Sequence, residues 1–214
     1  MQRTHSFSDR IIAHFDNALR TLSPGVVKAG QTSPAQNVAD NEQLSPSDKV
    51  HISKLMRINH TGEVCAQALY KGQALTARLP NVQQSMEQAA TEELDHLAWC
   101  ETRINELRGR TSYLNPAFYG MSFALGALAG LAGDKWSLGF VAATEDQVSL
   151  HLKDHLQQIN DKDPKTKKIL TRMLADEQRH AEHALNAGGV DFPTPVKRAM
   201  TVISKVMTKT TYRL

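Results

Sequence analysis

Two short Glu-x-x-His patterns are the strongest chemical signal in the sequence. Glu93 and His96 form the first pattern, and Glu177 and His180 form the second. Residues three apart on a helix share one face, so each pair presents a carboxylate oxygen and an imidazole nitrogen to the same point. Each pair is therefore half of a possible metal site. A single copy would indicate little, because Glu and His are common on solvated helix faces.

A lone glutamate precedes each pattern at nearly the same distance. The chain thus repeats a helix with one Glu followed by a helix with Glu-x-x-His. This arrangement resembles the ligand set of ferritin-like di-iron proteins. Four carboxylates offset most of the charge of two divalent metals. Two imidazoles complete a mixed site with open positions, which suits iron or manganese better than tetrahedral zinc. The predicted metal ligands are Glu63, Glu93, His96, Glu145, Glu177 and His180.

Spacing alone leaves the register of these ligands open. Glu92 could pair with His96 at positions i and i+4, and His183 lies about one turn beyond His180. We favour Glu93 as the ligand because the second half of the chain repeats its spacing.

Other acids and histidines lie close to the predicted ligands. Asp95, Asp146 and Asp176 could accept a hydrogen bond from the second nitrogen of a ligand imidazole, or they could simply face water. His60 and His151 lie within two turns of a predicted Glu ligand. They could serve proton transfer or substrate contact, or be ordinary surface or core histidines.

Helical periodicity and helix-ending residues place all of these residues on helices. Ser47, Asn81 and Asp134 are candidate N-caps, and Pro164 is placed to open a helix. No convincing alternating strand pattern is present. The predicted helices span residues 6–22, 48–79, 81–108, 116–133, 134–159, 164–188 and 195–210. We predict an all-α fold, a ferritin-like four-helix bundle with additional amphipathic or interfacial helices.

A change in composition divides the chain near the start of the second helix. Residues 23–47 are rich in Pro, Ser, Gln, Asn and Gly, which is the composition of a flexible linker. We therefore predict a short N-terminal helix and flexible linker over residues 1–46. Residues 47–214 are predicted to form the di-iron helical bundle domain.

Composition argues against several classes of function. The net charge of +3 is only mildly basic, and no aromatic residues interleave with a dense Lys/Arg stripe, so nucleic acid is not an expected partner. Cys65 and Cys100 form no Cys-x-x-Cys pattern, so we expect buried free thiols rather than disulfides or a thiolate zinc site. The N-terminus has no apolar run of signal-peptide length, so no secretory signal is expected.

Residues 116–133 form an apolar run that contains many small side chains. The run is near the lower length limit for spanning a bilayer, and Asp134 ends it. We interpret it as an interfacial element that dips into a membrane; the alternative is an inner bundle helix made slim by its glycines. Residues 195–210 combine apolar positions with Lys and Arg, which suits an anionic lipid surface. These segments predict a peripheral membrane protein rather than a spanning one.

Several longer motifs resemble one family of di-iron enzymes. The stretch Asn-His-Thr-Gly-Glu at residues 59–63, which continues to Tyr-Lys-Gly-Gln at residues 70–73, resembles the demethoxyubiquinone hydroxylase family. The segments 92–96, 142–145 and 176–180 resemble the same family. The resemblance spans about residues 48–214 and leaves the N-terminal 46 residues uncovered.

The resemblance implies an activity, cofactors and partners. The six residues selected by spacing become the ligands of two irons per chain, with dioxygen as co-substrate. The implied reaction is the hydroxylation of a demethoxy polyprenyl benzoquinol or benzoquinone in ubiquinone biosynthesis. The implied partners are the polyprenyl quinone, a membrane lipid surface and other proteins of quinone biosynthesis. The implied location is peripheral, on the cytoplasmic face of the cell membrane. The electron donor stays open between a nicotinamide cofactor and the quinol itself.

Two rival functions fit part of the pattern. A ferritin-like iron oxidase or store would use the same ligands without a quinone. A non-catalytic quinone-binding scaffold would use the acidic residues only structurally. The apolar segments argue against a soluble iron store, and the repeated ligand set argues against a scaffold.

Overall fold

The computed structural model describes residues 7–214, which form seven helices and no strand. The helices are α1 (Phe7–Leu22), α2 (Pro46–Thr76), α3 (Pro80–Glu106), α4 (Asn115–Ala132), α5 (Asp134–Ile159), α6 (Pro164–Asn186) and α7 (Thr194–Arg213). The prediction of an all-α fold is confirmed. Residue 6, where the first helix was predicted to begin, lies outside the described residues.

Four of the helices form the central bundle. α2 packs along α3, α5 packs along α6, and the two hairpins meet where α2 contacts α5 and α3 contacts α6. α4 connects the hairpins, while α1 and α7 pack against α2. Each hairpin contains one helix with a single predicted Glu ligand and one helix with Glu-x-x-His. The repeat in the sequence therefore becomes two equivalent hairpins in the bundle.

The apolar core of the bundle is divided into two main clusters. One cluster contains large side chains such as Leu55, Leu152 and Leu170, and the other contains smaller ones such as Ala74 and Ala90. Along every bundle helix, the predicted metal ligands fall between the residues of the two clusters. Apolar side chains thus enclose the predicted ligands at both ends and exclude water from them.

α4 lies on the outside of α2 and contacts it through small residues. A Cβ at Gly72 would collide with the backbone carbonyl of Phe123, and a Cβ at Gly126 would collide with that of Leu69. The two backbones approach this closely because both positions are glycine. The outer face of α4 is apolar and exposed, with Leu128 at 61% exposure, so the alternative of an inner bundle helix is wrong. In the described part of the chain, no helix has the length and apolar content needed to cross a membrane.

The helix starts differ slightly from the predicted caps. Ser45, not Ser47, is the N-cap of α2, and its Oγ accepts a backbone N–H at 3.1 Å. Pro46 favours this choice, since the fixed φ of proline suits the first position of a helix. The predicted caps at Asn81 and Asp134 are also wrong, because each lies inside its helix rather than before it.

Residues 23–45, here called the strap, contain no helix or strand and contact α3. The Gly25 N–H donates to Glu101 Oε1 at 2.7 Å, and the Gly30 N–H donates to Asp95 Oδ1 at 2.6 Å. Composition could not reveal these contacts, because their donors are backbone N–H groups that any sequence supplies. The predicted division between a flexible linker and a bundle domain coincides with the start of α2 and stays a prediction.

Candidate metal centre

The bundle brings the six predicted ligands together in its interior, where each is at most 7% exposed. They form two overlapping groups, here called the acid–histidine cluster. One group consists of Glu63, Glu93, His96 and Glu177, and the other of Glu93, Glu145, Glu177 and His180. In each group, one ligand atom per residue lies within 4.8 Å of the others. Two of the carboxylates, Glu93 and Glu177, belong to both groups.

The imidazole Nδ1 atoms face the two shared carboxylates. His96 Nδ1 lies 2.9 Å from Glu93 Oε2 and 3.1 Å from Glu177 Oε1. His180 Nδ1 lies 3.1 Å from Glu93 Oε1 and 3.5 Å from Glu177 Oε2. Each shared carboxylate therefore directs one oxygen toward each histidine. A carboxylate in this orientation would hold a metal ion beside each histidine.

Burial and mutual repulsion disfavour negative charge on two of the carboxyls. Burial raises the pKa of Glu63 and of Glu145 well above the ordinary value, and repulsion from Glu93 and Glu177 adds to the increase. Burial also acts on Glu93, but its contacts with the two histidines outweigh that effect and lower its pKa. Although burial opposes it, the close contact of the imidazole with the carboxylates of Glu177 and Glu93 raises the pKa of His180 to about 12. Without metal, protons therefore supply the positive charge that the cluster requires.

Four polar atoms of the cluster have no hydrogen-bond partner within it. In the described part of the chain, Glu93 Oε1, both carboxylate oxygens of Glu177 and Nδ1 of His180 are buried without a hydrogen-bond partner. His180 Nδ1 and Glu93 Oε1 are 3.1 Å apart, so they are close but not aligned as donor and acceptor. Buried polar atoms normally have partners. Oxygen and nitrogen atoms that converge in this way fit a pair of metal ions such as iron or manganese.

Comparison with known proteins identifies the family. Residues 50–211 match the family model described as ubiquinone biosynthesis protein COQ7. The chain belongs to the COQ7 family. It is 60% identical to the 3-demethoxyubiquinol 3-hydroxylase of Azotobacter vinelandii, over 100% of this chain and 99% of the relative. Proteins of the same name from Ectopseudomonas mendocina and Acinetobacter baumannii are 59% and 57% identical, over at least 99% of both chains.

These relatives confirm the resemblance seen in the sequence motifs. They also extend it, because their similarity covers the N-terminal residues that the motifs left out.

In this member of the COQ7 family, the outer nitrogen of each cluster histidine contacts an acid of the opposite hairpin. His96 Nε2 lies 3.2 Å from Asp176 Oδ2, and His180 Nε2 lies 2.8 Å from Glu92 Oε2. Each acid directly precedes the Glu of a Glu-x-x-His pattern, so the two contacts are equivalent in the repeat. A proton on Nε2 leaves the lone pair of Nδ1 directed at the cluster, as a metal ligand requires.

Of the three acids considered as outer hydrogen-bond acceptors, only Asp176 contacts a cluster histidine. Asp95 accepts backbone N–H groups of the strap, and Asp146 is 51% exposed and pairs with a lysine. Glu92, the alternative ligand, has a side chain that is 32% exposed, and it contacts the outer nitrogen of His180. Glu93 is fully buried within the cluster, so the structure favours the register with Glu93.

The two histidines considered for proton transfer or substrate contact each contact a neighbouring helix, and their roles stay predictions. His60 on α2 has its Nδ1 3.4 Å from Asn115 Nδ2 on α4, and burial lowers the pKa of this imidazole to about 4. His151 on α5 contacts Ser204 Oγ on α7. Neither contact involves a member of the acid–histidine cluster. His183, the other alternative ligand, is exposed on α6.

Tyr70 is a site residue that the ligand pattern did not reveal. Its side chain is fully buried on α2, and its hydroxyl donates to Glu145 Oε1 on α5. Burial raises the pKa of this phenol well above its ordinary value, so the hydroxyl remains a proton donor. In the sequence, Tyr70 belongs only to the segment 70–73 that resembles the family, and that resemblance assigns it no role at the site. An aromatic residue at helical spacing otherwise predicts core packing.

Proposed function

We propose that the chain is a dioxygen-dependent di-iron monooxygenase that hydroxylates the ring of a demethoxy polyprenyl benzoquinol or benzoquinone in ubiquinone biosynthesis. The observation that supports it best is the pair of overlapping ligand groups, which share Glu93 and Glu177 inside the bundle. The name of the relatives, 3-demethoxyubiquinol 3-hydroxylase, supplies the substrate class.

The residues that would hold the irons already lie together. One iron would be held by Glu63 and His96, the other by Glu145 and His180, and both by Glu93 and Glu177. Four carboxylates balance the charge of two divalent ions, so a buried centre of this kind is neutral. When bound, the iron pair supplies the redox chemistry that activates dioxygen for transfer of one oxygen atom to the ring.

The rest of the chain orients the ligands and keeps the site dry. Glu92 and Asp176 hold the two imidazoles so that both Nδ1 atoms face the cluster. The two apolar clusters of the bundle exclude water on either side of the ligands. A dry site strengthens the electrostatic interactions within it and protects reactive species from side reactions.

A direct assay of ring hydroxylation tests this proposal. The purified chain is loaded anaerobically with ferrous iron, mixed with a short-chain demethoxyubiquinol, and exposed to isotopically labelled dioxygen. We expect about two irons per chain and one labelled oxygen atom in the new ring hydroxyl. Iron oxidation without a ring product would favour an iron store instead. Quinone binding that needs no iron, without hydroxylation, would favour a scaffold.

We also infer that the chain binds the surface of an anionic membrane. On α4, the outward residues Met121, Leu125, Leu128 and Leu131 recur at helical spacing and are at least 50% exposed. On α7, the side chains of Val202, Ile203 and Val206 are more than 60% exposed. Lys205 and Lys209 are exposed on the same helix. Apolar and basic side chains in this combination suit the boundary between lipid head groups and acyl chains.

Removing positive charge from α7 should weaken this membrane binding. Each lysine near an anionic surface contributes about 1 kcal/mol, so Lys205→Gln with Lys209→Gln should lower the vesicle affinity by about tenfold or more at low salt. The measurement is co-sedimentation with vesicles of phosphatidylglycerol and phosphatidylcholine. Lys167→Gln with Lys168→Gln removes the same charge from α6 and should have little effect. An equal loss of vesicle affinity in both double variants would contradict the inference, and so would vesicle binding that does not depend on salt.

A further inference from the structure

Among the described residues, two gaps in the bundle surface reach the acid–histidine cluster, and they differ in size. The first, here called the Tyr70 cleft, has a volume of about 130 Å³ and reaches Tyr70, Glu92 and His180. The second lies on the seam between α3 and α6 beside His96 and Asp176, and its volume is about 10 Å³. A water molecule needs roughly 10–15 Å³ of such volume. The Tyr70 cleft therefore has room for several water-sized molecules, and the seam has room for one at most.

The seam between α3 and α6 is closed by side chains that are held in place. Trp99 Nε1–H donates to the Gln31 carbonyl at 3.3 Å, which ties the strap across the seam. Arg172 and Arg179 also line the seam and donate to Asp176 at 2.7 and 2.8 Å. These hydrogen bonds would have to break before the seam could widen.

The walls of the Tyr70 cleft combine apolar and polar side chains. Leu138, Val141 and Ala89 line it, and the exposed residues Ser85 and Gln88 lie at its outer end. Its volume is well below the roughly 300 Å³ at which sites for drug-sized ligands begin. A passage of this size and mixed polarity admits dioxygen or a small anion and is too small for a substituted ring with a prenyl tail.

The internal repeat shows that the two halves of the centre differ. Tyr70 lies two helical turns after Glu63 on α2, and Leu152 lies two turns after Glu145 on α5. The Tyr70 hydroxyl donates across the bundle to Glu145. Leu152 has no donor and packs with Cys100 in the cluster of large apolar side chains. The same position of the repeat thus provides a hydrogen bond in one half and apolar packing in the other.

We propose that small molecules reach the metal centre from one side: dioxygen and small anions approach the metal held by Glu145 and His180 through the Tyr70 cleft, and Tyr70 positions Glu145 there. This inference rests on the proposed di-iron centre. The Tyr70 hydroxyl fixes one oxygen of Glu145, so the carboxylate keeps one orientation when a further ligand arrives. The half of the centre that contains Glu63 and His96 stays closed, because the seam beside His96 has room for one water-sized molecule at most.

Azide binding to the oxidised, iron-loaded chain reports access to the metals without turnover. Azide is a small anion that stands in for dioxygen and gives an absorption band on ferric iron, so stopped-flow absorbance yields its binding rate. Ala89→Leu adds bulk to the cleft wall and should slow binding by about tenfold or more at unchanged iron content. Ala129→Leu makes the same change at a half-buried position of α4 and should keep the parent rate.

Tyr70→Phe separates the positioning of Glu145 from access through the cleft. The ring remains and preserves the shape of the cleft, while the hydroxyl that holds the carboxylate is lost. We expect the parent rate of azide association, a shifted absorption band and an altered azide affinity. An unchanged band and affinity would overturn the positioning role of Tyr70.

The remaining outcomes distinguish the access route from the metal centre itself. Parent azide rates in Ala89→Leu at full iron content would overturn the access route. If that variant loses iron, Ala89→Val, which adds less bulk, is measured in its place and read by the same criterion. Failure of the parent chain to bind a pair of irons would overturn the proposed di-iron function, and the access route with it.

Discussion

Replacing Glu177 by Gln is expected to abolish both the iron pair and ring hydroxylation. The change keeps the size and shape of the side chain but replaces one carboxylate oxygen, which faces a cluster histidine, by an amide nitrogen that offers no lone pair. Because Glu177 belongs to both ligand groups, one substitution weakens both metal positions. Loss of a residue that only hydrogen-bonds a metal ligand typically lowers metal affinity or activity about 10–100-fold. Because Glu177 is itself a proposed ligand, we expect hydroxylation to fall by about 100-fold or more. Iron content should fall from about two per chain to one or none.

Glu182→Gln is the matched control on the same helix. Glu182 is exposed on α6 and belongs to neither ligand group, so the same chemical change there should leave iron content and hydroxylation near the parent values. Circular dichroism should show the same helix content in both variants. Equal hydroxylase activity in the two variants would contradict the assignment of Glu177 as a ligand.

In the absence of metal, Glu177→Gln is not expected to destabilise the fold. Burial raises the pKa of Glu63 and of Glu145, and repulsion from Glu177 adds to it. Removing the charge of Glu177 relieves that repulsion, which offsets the lost attraction between Glu177 and the two histidines. Metal-free Glu177→Gln is therefore expected to unfold at the same urea concentration as the metal-free parent, or at a higher one. A residue with only a structural role would lower that concentration when replaced.

The six members of the acid–histidine cluster could be found in the sequence because local rules were enough. The i, i+3 spacing places Glu93 and His96 on one face of a helix. The internal repeat then points to Glu177 and His180 as the second half of the same site. Their assembly in the bundle interior is what the structure adds, and their role as metal ligands stays a prediction. Pro164 opens α6, as its local context indicated. Both cysteines are free, but only Cys100 is buried as expected, while Cys65 is half-buried.

Contacts between helices could not be predicted in the same way. Whether Glu92 binds a metal or an imidazole depends on how α3 and α6 are rotated against each other, which spacing along one helix does not determine. The same applies to Tyr70 and Glu145, which lie on different hairpins. Asp95 could face the cluster or the outside, and the strap decides the outcome because its backbone N–H groups need an acceptor.

The membrane-facing role expected of α4 shows where composition becomes ambiguous. An apolar run with many glycines fits both a packed helix and an exposed one. In the structure it is both, because the glycine face contacts α2 and the leucine face is exposed. Periodicity within the run, rather than its mean hydropathy, distinguishes the two faces.

Replacing Asp163 by Asn is expected to cause the largest loss of stability away from the acid–histidine cluster. Asp163 is fully buried as the N-cap of α6, and its carboxylate accepts from Arg103 Nη2 at 3.0 and 2.8 Å. Burial opposes the positive charge on Arg103, but its contacts with Asp163, Glu106 and Asp40 together outweigh burial and raise the pKa of the guanidinium. Asn is an equally good N-cap, so the change isolates the charge. Removing one partner of a buried ion pair costs about 3–5 kcal/mol.

Asp161→Asn, two residues earlier, is the control for this prediction. Asp161 is 82% exposed and pairs with Lys167, so losing that charge should change stability little, as is typical of surface ion pairs. Urea unfolding of the metal-free chains, followed by circular dichroism, measures both effects. Arg103 also contacts Glu106 and Asp40, whose side chains are 38% and 57% exposed. If the two variants unfolded at the same urea concentration, those exposed acids would be sufficient to compensate the buried guanidinium, and Asp163 would not be its essential partner.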